Sequence, residues 1–434
     1  MSKQADPSSL FIGIDLGTSG CRAIAINICG TIKAQANFDY PDPKQQSPQH
    51  WWSATQNVLQ KLFSQINSQD VKAIAVDGTS STVLFCDNAG EPLTTALMYN
   101  DQRATQQALL LKKHAPQDSI VLSSTSSLAK VLWLLENHPP KKHFQIVHQA
   151  DWISGQLCQQ FNFSDVNNVL KMGFDVINKQ WPSWLLSIFK KFNIKEESLP
   201  NVLTAGEVIT KIDSKVAEKF NLPFDVEIIA GTTDSTAAVI ASGASAVGQA
   251  ITSLGSTLVL KVISDIPIED STHGVYSQPY GKHWLVGGAS NSGGAVLRHY
   301  FTVQQMQQMS KELKPSIATN LNYYPLINKG ERFPINDANL QPRITPDAES
   351  DVLLFQGLLE GIAKIEHTGY KLLEKLGAPY PSAVQTNGGG AVNKAWQQIR
   401  EAKLAVPVTA AKYTAAAYGA AKLATQTYQK RENK

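Results

Sequence analysis

Residues 10–28 read LFIGIDLGTSGCRAIAINI, in which two apolar runs flank a short polar turn. An apolar run ends at Asp15, a small polar turn follows, and a second apolar run resumes at Cys21. The pattern predicts a strand, a tight turn and a second strand. The turn offers closely spaced backbone N–H groups, two hydroxyls and a carboxylate, which can cradle phosphate oxygens and hold Mg²⁺ through water. An ordinary glycine-rich hairpin is the alternative, because such turns are common.

A second copy of this device favours the phosphate interpretation. Residues 250–263 read AITSLGSTLVLKVI, so an apolar segment again meets Leu-Gly-Ser-Thr and continues as a strand. Internal repetition of a local motif indicates related structural units. The two hairpins therefore predict two related lobes that face one nucleotide.

The bulk properties limit the function classes. A chain of 434 residues predicts two domains, and 43% hydrophobic with 17% charged residues is ordinary for a globular protein. A net charge of +3 is too small to indicate nucleic acid or a membrane surface as a partner. No apolar run approaches the roughly 20 residues of a membrane span. Residues 1–9 show no secretory signal, so we expect a cytoplasmic protein, or an organellar one if a transit peptide has been removed.

The four cysteines, Cys21, Cys29, Cys86 and Cys158, match no metal-binding spacing. They are predicted to be buried, reduced thiols.

Two further strands are predicted to end in polar residues. Residues 71–76 form a buried strand that ends at Asp77-Gly78-Thr79-Ser80-Ser81, and α/β sheets bind ligands at such strand ends. Residues 226–230 form another apolar strand that meets Gly-Thr-Thr-Asp, with Asp234 at the start of a helix rich in small residues. Asp234 is either a reactive carboxylate or an N-cap that is stabilised by the helix dipole.

Polar residues also precede two of the predicted helices. Asp101 and Arg103 could bind a polyhydroxylated substrate, but capping of the next helix is favoured, and Asp151 is expected to cap the helix that follows it. Residues 286–294 (VGGASNSGG) are predicted to form a glycine-rich turn before a helix. Near the end of the chain, residues 384–390 predict a strand that runs into three glycines. Asn393 and Trp396 on the next helix could line a purine pocket, or Trp396 could be a core residue.

Five motifs in one order resemble the FGGY carbohydrate kinases of the sugar kinase, heat-shock ATPase and actin superfamily. They are D-L-G-T-S from Asp15, D-G-T-S from Asp77, G-T-T-D ending at Asp234, L-G-S-T from Leu254 and G-G-G-x-x-N-x-x-W from Gly388. The resemblance covers nearly the whole chain. It implies an α/β fold of two actin-like (ribonuclease H-like) ATPase lobes with a nucleotide and sugar cleft between them.

The resemblance also implies a division of the chain. Residues 1–247 would form the N-terminal lobe with the sugar site and the first hairpin, and residues 248–434 the ATP-binding C-terminal lobe with the second hairpin. The exact boundary is left open, as is the placement of the last helix, which could pack on the first lobe.

Within the family, the sequence is more closely similar to the short cyanobacterial and plant branch of D-ribulose kinases, often labelled xylulose kinase-like. The similar stretches include residues 123–130 (SSTSSLAK), 149–152 (QADW) and 330–335 (GERFPI). Two departures from the wider family occur. The stretch Asn100-Asp101-Gln102-Arg103 lacks a tryptophan that many members carry, so sugar contacts by Asp101 and Arg103 are not expected. Residues 414–417 lack the glutamate of a closing Glu-Ala-Ala motif.

Roles carried over from the family fall on matching positions. Asp234 would be the general base, and Asp15 would lie beside Mg²⁺ and the phosphates and also reach the sugar. Ser80 would hydrogen-bond a ketopentose. The residues implied to hold ATP are Thr18, Ser19, Gly255, Ser256 and Thr257 at the phosphates and Gly389, Gly390, Asn393 and Trp396 at the adenine.

The expected reaction is transfer of the γ-phosphoryl group of ATP to D-ribulose, which gives D-ribulose 5-phosphate. The expected partners are therefore ATP, Mg²⁺ and a small sugar, with no nucleic acid or membrane, and the oligomeric state is open. A D-xylulose kinase is the nearest alternative, since the two ketopentoses differ in the configuration of one hydroxyl. A non-catalytic sugar or nucleotide sensor and an actin-like or chaperone ATPase are the alternatives from other classes.

Overall fold

The computed structural model describes residues 6–140 and 143–432. Five residues of the segment inspected for a secretory signal, and the last two of the chain, lie outside this range. The chain forms two compact units: unit 1 extends to Ala241 and includes Ala415–Lys434, whereas unit 2 is Ser242–Thr414. The division falls six residues before the position expected from the sequence, and the last helix belongs to unit 1. Every helix in the described ranges is too short or too polar to traverse a bilayer.

Unit 1 is built on one large sheet with helices around it. Its strands are β1 (Leu10–Leu16), β2 (Gly20–Asn27), β3 (Ile32–Asp39), β4 (Val71–Gly78), β5 (Val83–Cys86), β6 (Gln145–His148), β7 (Phe163–Asp165), β8 (Asn201–Leu203), β9 (Val208–Lys211) and β10 (Glu227–Thr233). Its helices are α1 (Pro48–Phe63), α2 (Thr105–Leu111), α3 (Ser127–Asn137), α4 (Gln149–Cys158), α5 (Ser183–Lys191), α6 (Ser214–Phe220) and α7 (Asp234–Ser242), with the final helix of the chain, Ala416–Glu432. The strand order in the large sheet is β3-β2-β1-β4-β10-β9.

Unit 2 contains a second six-stranded sheet. Its strands are β11 (Gln249–Leu254), β12 (Leu258–Ser264), β13 (Tyr276–Tyr280), β14 (His283–Ser290), β15 (Ala383–Asn387) and β16 (Val408–Ala410). Its helices are α8 (Gly294–Tyr300), α9 (Val303–Met309), α10 (Asp351–Lys375) and α11 (Lys394–Leu404), so the final helix of the chain is α12. The strand order is β13-β14-β12-β11-β15-β16.

The two sheets share a topology, which confirms the prediction of two related lobes. In unit 1, β1 pairs antiparallel with β2 and parallel with β4. In unit 2, β11 pairs antiparallel with β12 and parallel with β15. The two Leu-Gly hairpins therefore occupy the same position in each sheet. Asp15, which pairs with Asp77 across β1 and β4, corresponds to Ser253, which pairs with Asn387 across β11 and β15.

Strand β1 is buried along its whole length, as a central strand covered on both faces requires. Helix α12 covers part of it at very short range. A Cβ atom built on Gly13 would lie 1.9 Å from the carbonyl oxygen of Ala417 and 2.4 Å from the backbone nitrogen of Ala421. The rings of Phe11 and Tyr428 are 5.3 Å apart at the same junction. Glycine at position 13 is what allows the helix backbone to lie directly on the strand.

The Gly13→Ala substitution is expected to destabilise unit 1. The added methyl group meets backbone atoms that cannot move alone, so α12 must shift, and overpacking of this kind costs about 1–3 kcal/mol of unfolding free energy. Urea unfolding, with hydrogen exchange in β1 and α12, measures the effect. Gly17→Ala is the control, because its Cβ atom would come no nearer than 3.6 Å to another atom. Equal stability of the two variants would contradict this account of the junction.

Three local predictions are wrong. Residues 286–290 belong to strand β14 rather than a turn, since glycine there provides space: a Cβ atom on Gly288 would lie 2.4 Å from the Phe333 ring. The N-cap of α4 is His148, and Asp151 is the third residue of the helix, where its carboxylate accepts the His148 backbone N–H. Cys29 is exposed, although Cys21, Cys86 and Cys158 are buried free thiols as predicted.

Candidate active site

Three aspartates of unit 1 lie together at the carboxyl ends of neighbouring parallel strands. Asp15, Asp77 and Thr232 are partners in the registers of β1, β4 and β10. Asp234 is the residue immediately after β10 and the first residue of α7. The parallel sheet thus brings Asp15, Asp77, Thr232 and Asp234 to one edge, although they are far apart in the chain. Sheets of this kind bind ligands at this edge.

The electrostatics of this cluster favour a reduced negative charge. Burial, and then the nearby charge of Asp234, raise the pKa of Asp15 to about 6. Asp15 also lies 3.8 Å from the exposed guanidinium of Arg22. Complete burial, and then the charges of Asp15 and Asp234, raise the pKa of Asp77 well above its usual range. A side-chain hydrogen bond between Asp15 and Asp77 also raises the pKa of Asp77 and lowers that of Asp15, so Asp77 is held in its neutral form beside Asp15.

Asp234 is half-buried at the first position of α7. Its Oδ1 accepts the backbone N–H of the next residue, Ser235, at 2.6 Å, and its charge raises the pKa of Asp15. Asp234 is the first residue of α7 rather than a cap that precedes the helix, and its carboxylate lies close enough to Asp15 to influence it.

The loop after β4 carries Ser80 and is held from one side by α4. The backbone N–H and hydroxyl of Thr79 donate to Oε1 of Gln149 at 3.0 and 2.7 Å. The backbone N–H of Gln149 donates to the carbonyl oxygen of Thr82 at 3.1 Å. Ser80 is half-buried at the centre of this loop, and Ser81 adopts a left-handed conformation with φ of 70°. The loop is fixed at both ends while its middle residue stays accessible.

Lys130 of α3 holds the same loop from the other side, and the sequence analysis assigned it no role. Its side chain is fully buried and donates to the carbonyl oxygens of Ser81 at 3.0 Å and Met98 at 2.7 Å. Burial lowers the pKa of Lys130 to about 7, with Asp101 opposing this shift and Lys171 adding to it. A neutral amine still has two N–H groups, one for each carbonyl.

The contribution of Lys130 to folding is expected to depend on pH. Because its pKa is lowered in the folded state, the unfolded chain binds a proton between about pH 7 and 10.5 that the folded chain does not. Stability from this residue therefore rises with pH across that window and is lowest below pH 7. The unfolding free energy of the wild type minus that of Lys130→Met, measured at pH 7 and pH 9, should increase with pH. A pH-independent difference would show that Lys130 titrates normally.

Asp101 and Arg103 are engaged with each other. Asp101 accepts the backbone N–H of Arg103 at 3.0 Å and its side-chain Nε at 2.9 Å. The guanidinium of Arg103 also lies 4.9 Å from the Trp133 ring centre. The N-cap of α2 is Ala104 and receives no side-chain hydrogen bond, so the capping prediction for Asp101 is wrong.

The first hairpin places Thr18 and Ser19 at the exposed turn between β1 and β2. The backbone N–H of Gly17 donates to the carbonyl oxygen of Gly20 and closes the turn. The side-chain amide of Gln46 donates to the carbonyl oxygen of Thr18 at 2.8 Å. The hydroxyl-bearing end of the turn is thus presented to solvent beside Asp15.

The second hairpin, in unit 2, is held by helix α8. The backbone N–H groups of Gly294 and Ala295 donate to the carbonyl oxygens of Gly255 and Ser256 at 2.9 and 3.0 Å. The guanidinium of Arg298 donates to the Ser256 hydroxyl at 2.9 Å. The carbonyl oxygens of Gly255 and Ser256 are therefore already hydrogen-bonded within unit 2. The Arg298 guanidinium lies beside the exposed side chain of Ser256 in this turn, which ends at Thr257.

The glycine loop after β15 packs directly on this hairpin. A Cβ atom on Gly388 would lie 2.6 Å from the Leu254 carbonyl oxygen, and one on Gly390 would lie 2.6 Å from the Trp396 ring. Beside them lies a cavity of about 620 Å³, a size typical of small-molecule sites. Its lining includes Gly255, Ser256, Gly389, Gly390, Asn393 and Trp396, together with Leu297, Arg298, Val303, Met306, Lys311 and Phe355. Lys394 also lines the cavity, and an apolar wall with three cations suits a purine nucleotide.

Trp396 and Asn393 serve both interpretations offered by the sequence. Trp396 is almost fully buried, its indole N–H donates to the Leu359 carbonyl oxygen at 3.1 Å, and it also lines the cavity. Asn393 caps α11 through Oδ1 and donates through Nδ2 to the Ser310 hydroxyl at 2.9 Å. Arg298 lies on α8 and Lys311 just after α9, and neither was predicted from the sequence because isolated basic residues in or near helices are usually solvated.

The amino-terminal domain of the FGGY family of carbohydrate kinases matches residues 10–241, and the carboxy-terminal domain matches residues 250–428. The chain belongs to the FGGY family of carbohydrate kinases. The prediction of this family and of its two-lobed α/β fold is confirmed. As an FGGY protein the chain is a carbohydrate kinase, for which the family implies ATP and a sugar as substrates.

Similar proteins include curated xylulose kinases. The xylulose kinase of Escherichia coli (strain K12) is 25% identical over 414 residues, which cover 90% of this chain and 84% of that protein. The xylulose kinase of Bacillus subtilis (strain 168) is 23% identical and covers 90% of this chain and 82% of its own. Among solved structures, a ligand-bound xylulose kinase from Lactobacillus acidophilus has a TM-score of 0.84 at 22% identity, covering 97% of this chain and 90% of that one. Plasmodium falciparum glycerol kinase with ADP has a TM-score of 0.83 at 17% identity, covering 97% and 90%.

Proposed function

We propose that this FGGY kinase transfers the γ-phosphoryl group of ATP to D-ribulose, giving D-ribulose 5-phosphate, with Asp234 as the general base. The observation that carries the proposal is the carboxylate cluster at the sheet edge of unit 1. Asp15 and Asp77 are buried there, and Asp234 stays accessible at the start of α7. A half-buried carboxylate at a ligand-binding sheet edge can accept the proton of an attacking hydroxyl.

Buried polar atoms around Ser80 support a polyhydroxylated substrate. In the described ranges the Ser81 hydroxyl and Nε2 of Gln149 are buried without a hydrogen-bond partner. Buried polar groups of native proteins are usually satisfied, so unsatisfied ones near a candidate site call for a ligand or ordered water. The hydroxyls of a ketopentose are both donors and acceptors and suit such a set.

The reaction places limited demands on the protein. The transition state of phosphoryl transfer is loose, so the enzyme mainly positions the reactants and neutralises charge. In unit 1, the hairpin with Thr18 and Ser19 would contact phosphate oxygens. In unit 2, Gly255, Ser256 and Thr257 would do the same, and the cavity beside Trp396 would hold the adenine. Asp234 would orient the sugar hydroxyl and take its proton.

Asp15 would hold Mg²⁺ on the phosphate side. Among the described residues, no group of three or more His, Cys, Asp and Glu side chains is arranged so that it could hold a metal ion. This fits Mg²⁺ in a kinase, because the ion binds through one or two carboxylates, substrate phosphates and water. When bound, Mg²⁺ supplies charge neutralisation for the β- and γ-phosphates.

The proposal is tested by ADP release with Mg-ATP, measured side by side on D-ribulose, L-ribulose, D-xylulose, ribitol and glycerol. The expected result is a clear preference for D-ribulose. A preference for D-xylulose, which the names of the similar xylulose kinases favour, would keep the mechanism and change the substrate. ADP release without any sugar would indicate an ATPase, and nucleotide binding with no turnover would indicate a sensor.

A further inference from the structure

We infer that Lys130 is a positioning residue for sugar recognition, because it ties two loops into one rigid wall around Ser80. The inference rests on the proposed function, since it deepens the role of the Ser80 loop. Lys130 touches neither Ser80 nor any residue with a proposed chemical role. It acts through backbone carbonyls.

The first tied loop contains the strained residue. Ser81 has φ of 70°, a left-handed conformation that serine adopts only at a cost. Its side chain cannot offset that cost, because the buried hydroxyl has no partner in the described ranges. The hydrogen bond from Nζ of Lys130 to the Ser81 carbonyl oxygen, 3.0 Å long, holds the peptide unit in this orientation. The orientation of Ser81 in turn sets the direction of the preceding residue, Ser80.

The second tied loop follows Met98. The Met98 carbonyl oxygen accepts both Nζ of Lys130 at 2.7 Å and the backbone N–H of Asp101 at 3.0 Å. Helix α3 also supplies Trp133, one turn from Lys130, on which Arg103 packs. The amine and the aromatic ring on one helix face therefore anchor residues 98–103.

The opposite side of the Ser80 loop is already anchored by Gln149 through Thr79 and Thr82. Together, α4 and α3 restrain the loop on either side of its accessible residue. Burying the amine of a lysine is costly unless it is hydrogen-bonded. Lys130 is fully buried, and the carbonyl oxygens of Ser81 and Met98 accept its hydrogen bonds. Anchoring of backbone around one accessible serine is the geometry expected of a preorganised binding loop.

The test compares Lys130→Met with the wild type. Met preserves the length and volume of the side chain and removes both hydrogen bonds. The expected result is a rise of about 10-fold in KM for the preferred ketopentose, near the upper end of what one neutral hydrogen bond contributes, with kcat within about threefold and unchanged ATP affinity. Lys113→Met, an exposed lysine of the same unit, is the control and should change nothing.

A rescue separates positioning from simple packing. Glycine adopts φ of 70° without strain, so Ser81→Gly in the Lys130→Met background should recover at least about threefold of the lost sugar affinity. A lost aliphatic contact would not be restored by a glycine in another loop. Failure of the rescue, or equal increases in KM for sugar and ATP, would overturn the inference. If Lys130→Met does not fold, the smaller neutral variant Lys130→Gln is expected to show the same KM change and the same rescue.

Hydrogen exchange keeps this inference separate from the proposed reaction. The amide of Asp101, whose acceptor Met98 is shared with Lys130, and the amides of residues 79–83 should exchange faster in Lys130→Met than in the wild type or Lys113→Met. This readout needs no turnover. If the wild type phosphorylates no sugar, the proposed function fails. If exchange in these two loops is the same in Lys130→Met as in the wild type, the structural role inferred for Lys130 fails, whatever the reaction.

Discussion

The Asp234→Asn substitution is expected to lower kcat for the preferred ketopentose by about 10²–10⁴-fold, the usual contribution of a general base. Asparagine retains the oxygen that accepts the Ser235 backbone N–H, so the start of α7 should be preserved. Removal of one negative charge from this cluster of three carboxyl groups should also leave stability unchanged or increased. ATP affinity should remain, because the nucleotide cavity belongs to unit 2.

The measurement is kcat in the ADP-release assay, combined with calorimetric titration of ATP. Asp70→Asn is the matched control, since Asp70 immediately precedes β4 and Asp77 lies near its opposite end. Turnover above a tenth of the wild-type value would remove Asp234 from the proposed role of general base. Loss of ATP binding together with turnover would instead indicate damage to the fold.

The second large effect is expected at a buried ion pair in unit 2. Arg400 of α11 donates to both carboxylate oxygens of Glu366 in α10, at 2.6 and 2.7 Å, and both side chains are almost fully buried. Thr252 of β11 donates to Glu366 at 2.5 Å, and Arg400 donates to Thr386 of β15 at 2.6 Å. Loss of either partner leaves an uncompensated buried charge. Glu366→Leu or Arg400→Leu should each cost about 3–5 kcal/mol of unfolding free energy.

The double substitution of Glu366 and Arg400 by Leu should cost much less than either single change, since a buried ion pair can often be replaced by apolar residues. Urea unfolding measures the free energies, and hydrogen exchange assigns the loss to unit 2, because a chain of two units need not unfold in one step. Glu374→Gln, in the exposed Lys371–Glu374 pair of α10, is the control and should cost about 0–1 kcal/mol. Additive costs of the two Leu changes would contradict the coupling.

The sequence predicted the parts of the fold that repeat or alternate clearly. The apolar runs on either side of Leu16 and Leu254 specify two hairpins, and the polar residues after residues 71–76 mark a sheet edge. Asp77 was noted there but was not chosen as a site residue. Its position beside Asp15 follows from the pairing of two strands about 60 residues apart, a long-range contact that local patterns do not encode.

The sequence failed where one residue type serves several purposes. Gly287 and Gly288 indicate a turn locally, but they are required because strand β14 lies against Leu260 and Phe333. Lys130, Glu366 and Arg400 resemble the solvated charges of amphipathic helices. Their burial is decided by partners on other elements, so only the tertiary structure reveals them. Ser80 and Asp234 were predicted as site residues from the resemblance to the FGGY motifs, and both belong to polar stretches that follow buried strands.

Helix α12 has a consequence for how the protein is made. Unit 1 requires residues from both ends of the chain, because α12 covers β1 at the Gly13–Ala417 contact. A growing polypeptide at the ribosome exposes β1 from the start of synthesis, yet receives its covering helix only after Thr414 has been translated. Unit 2 is continuous in sequence and can complete its core first. We therefore expect unit 2 to be able to complete its fold before unit 1, and a nascent chain that stops before α12 would leave the face of β1 at Gly13 uncovered.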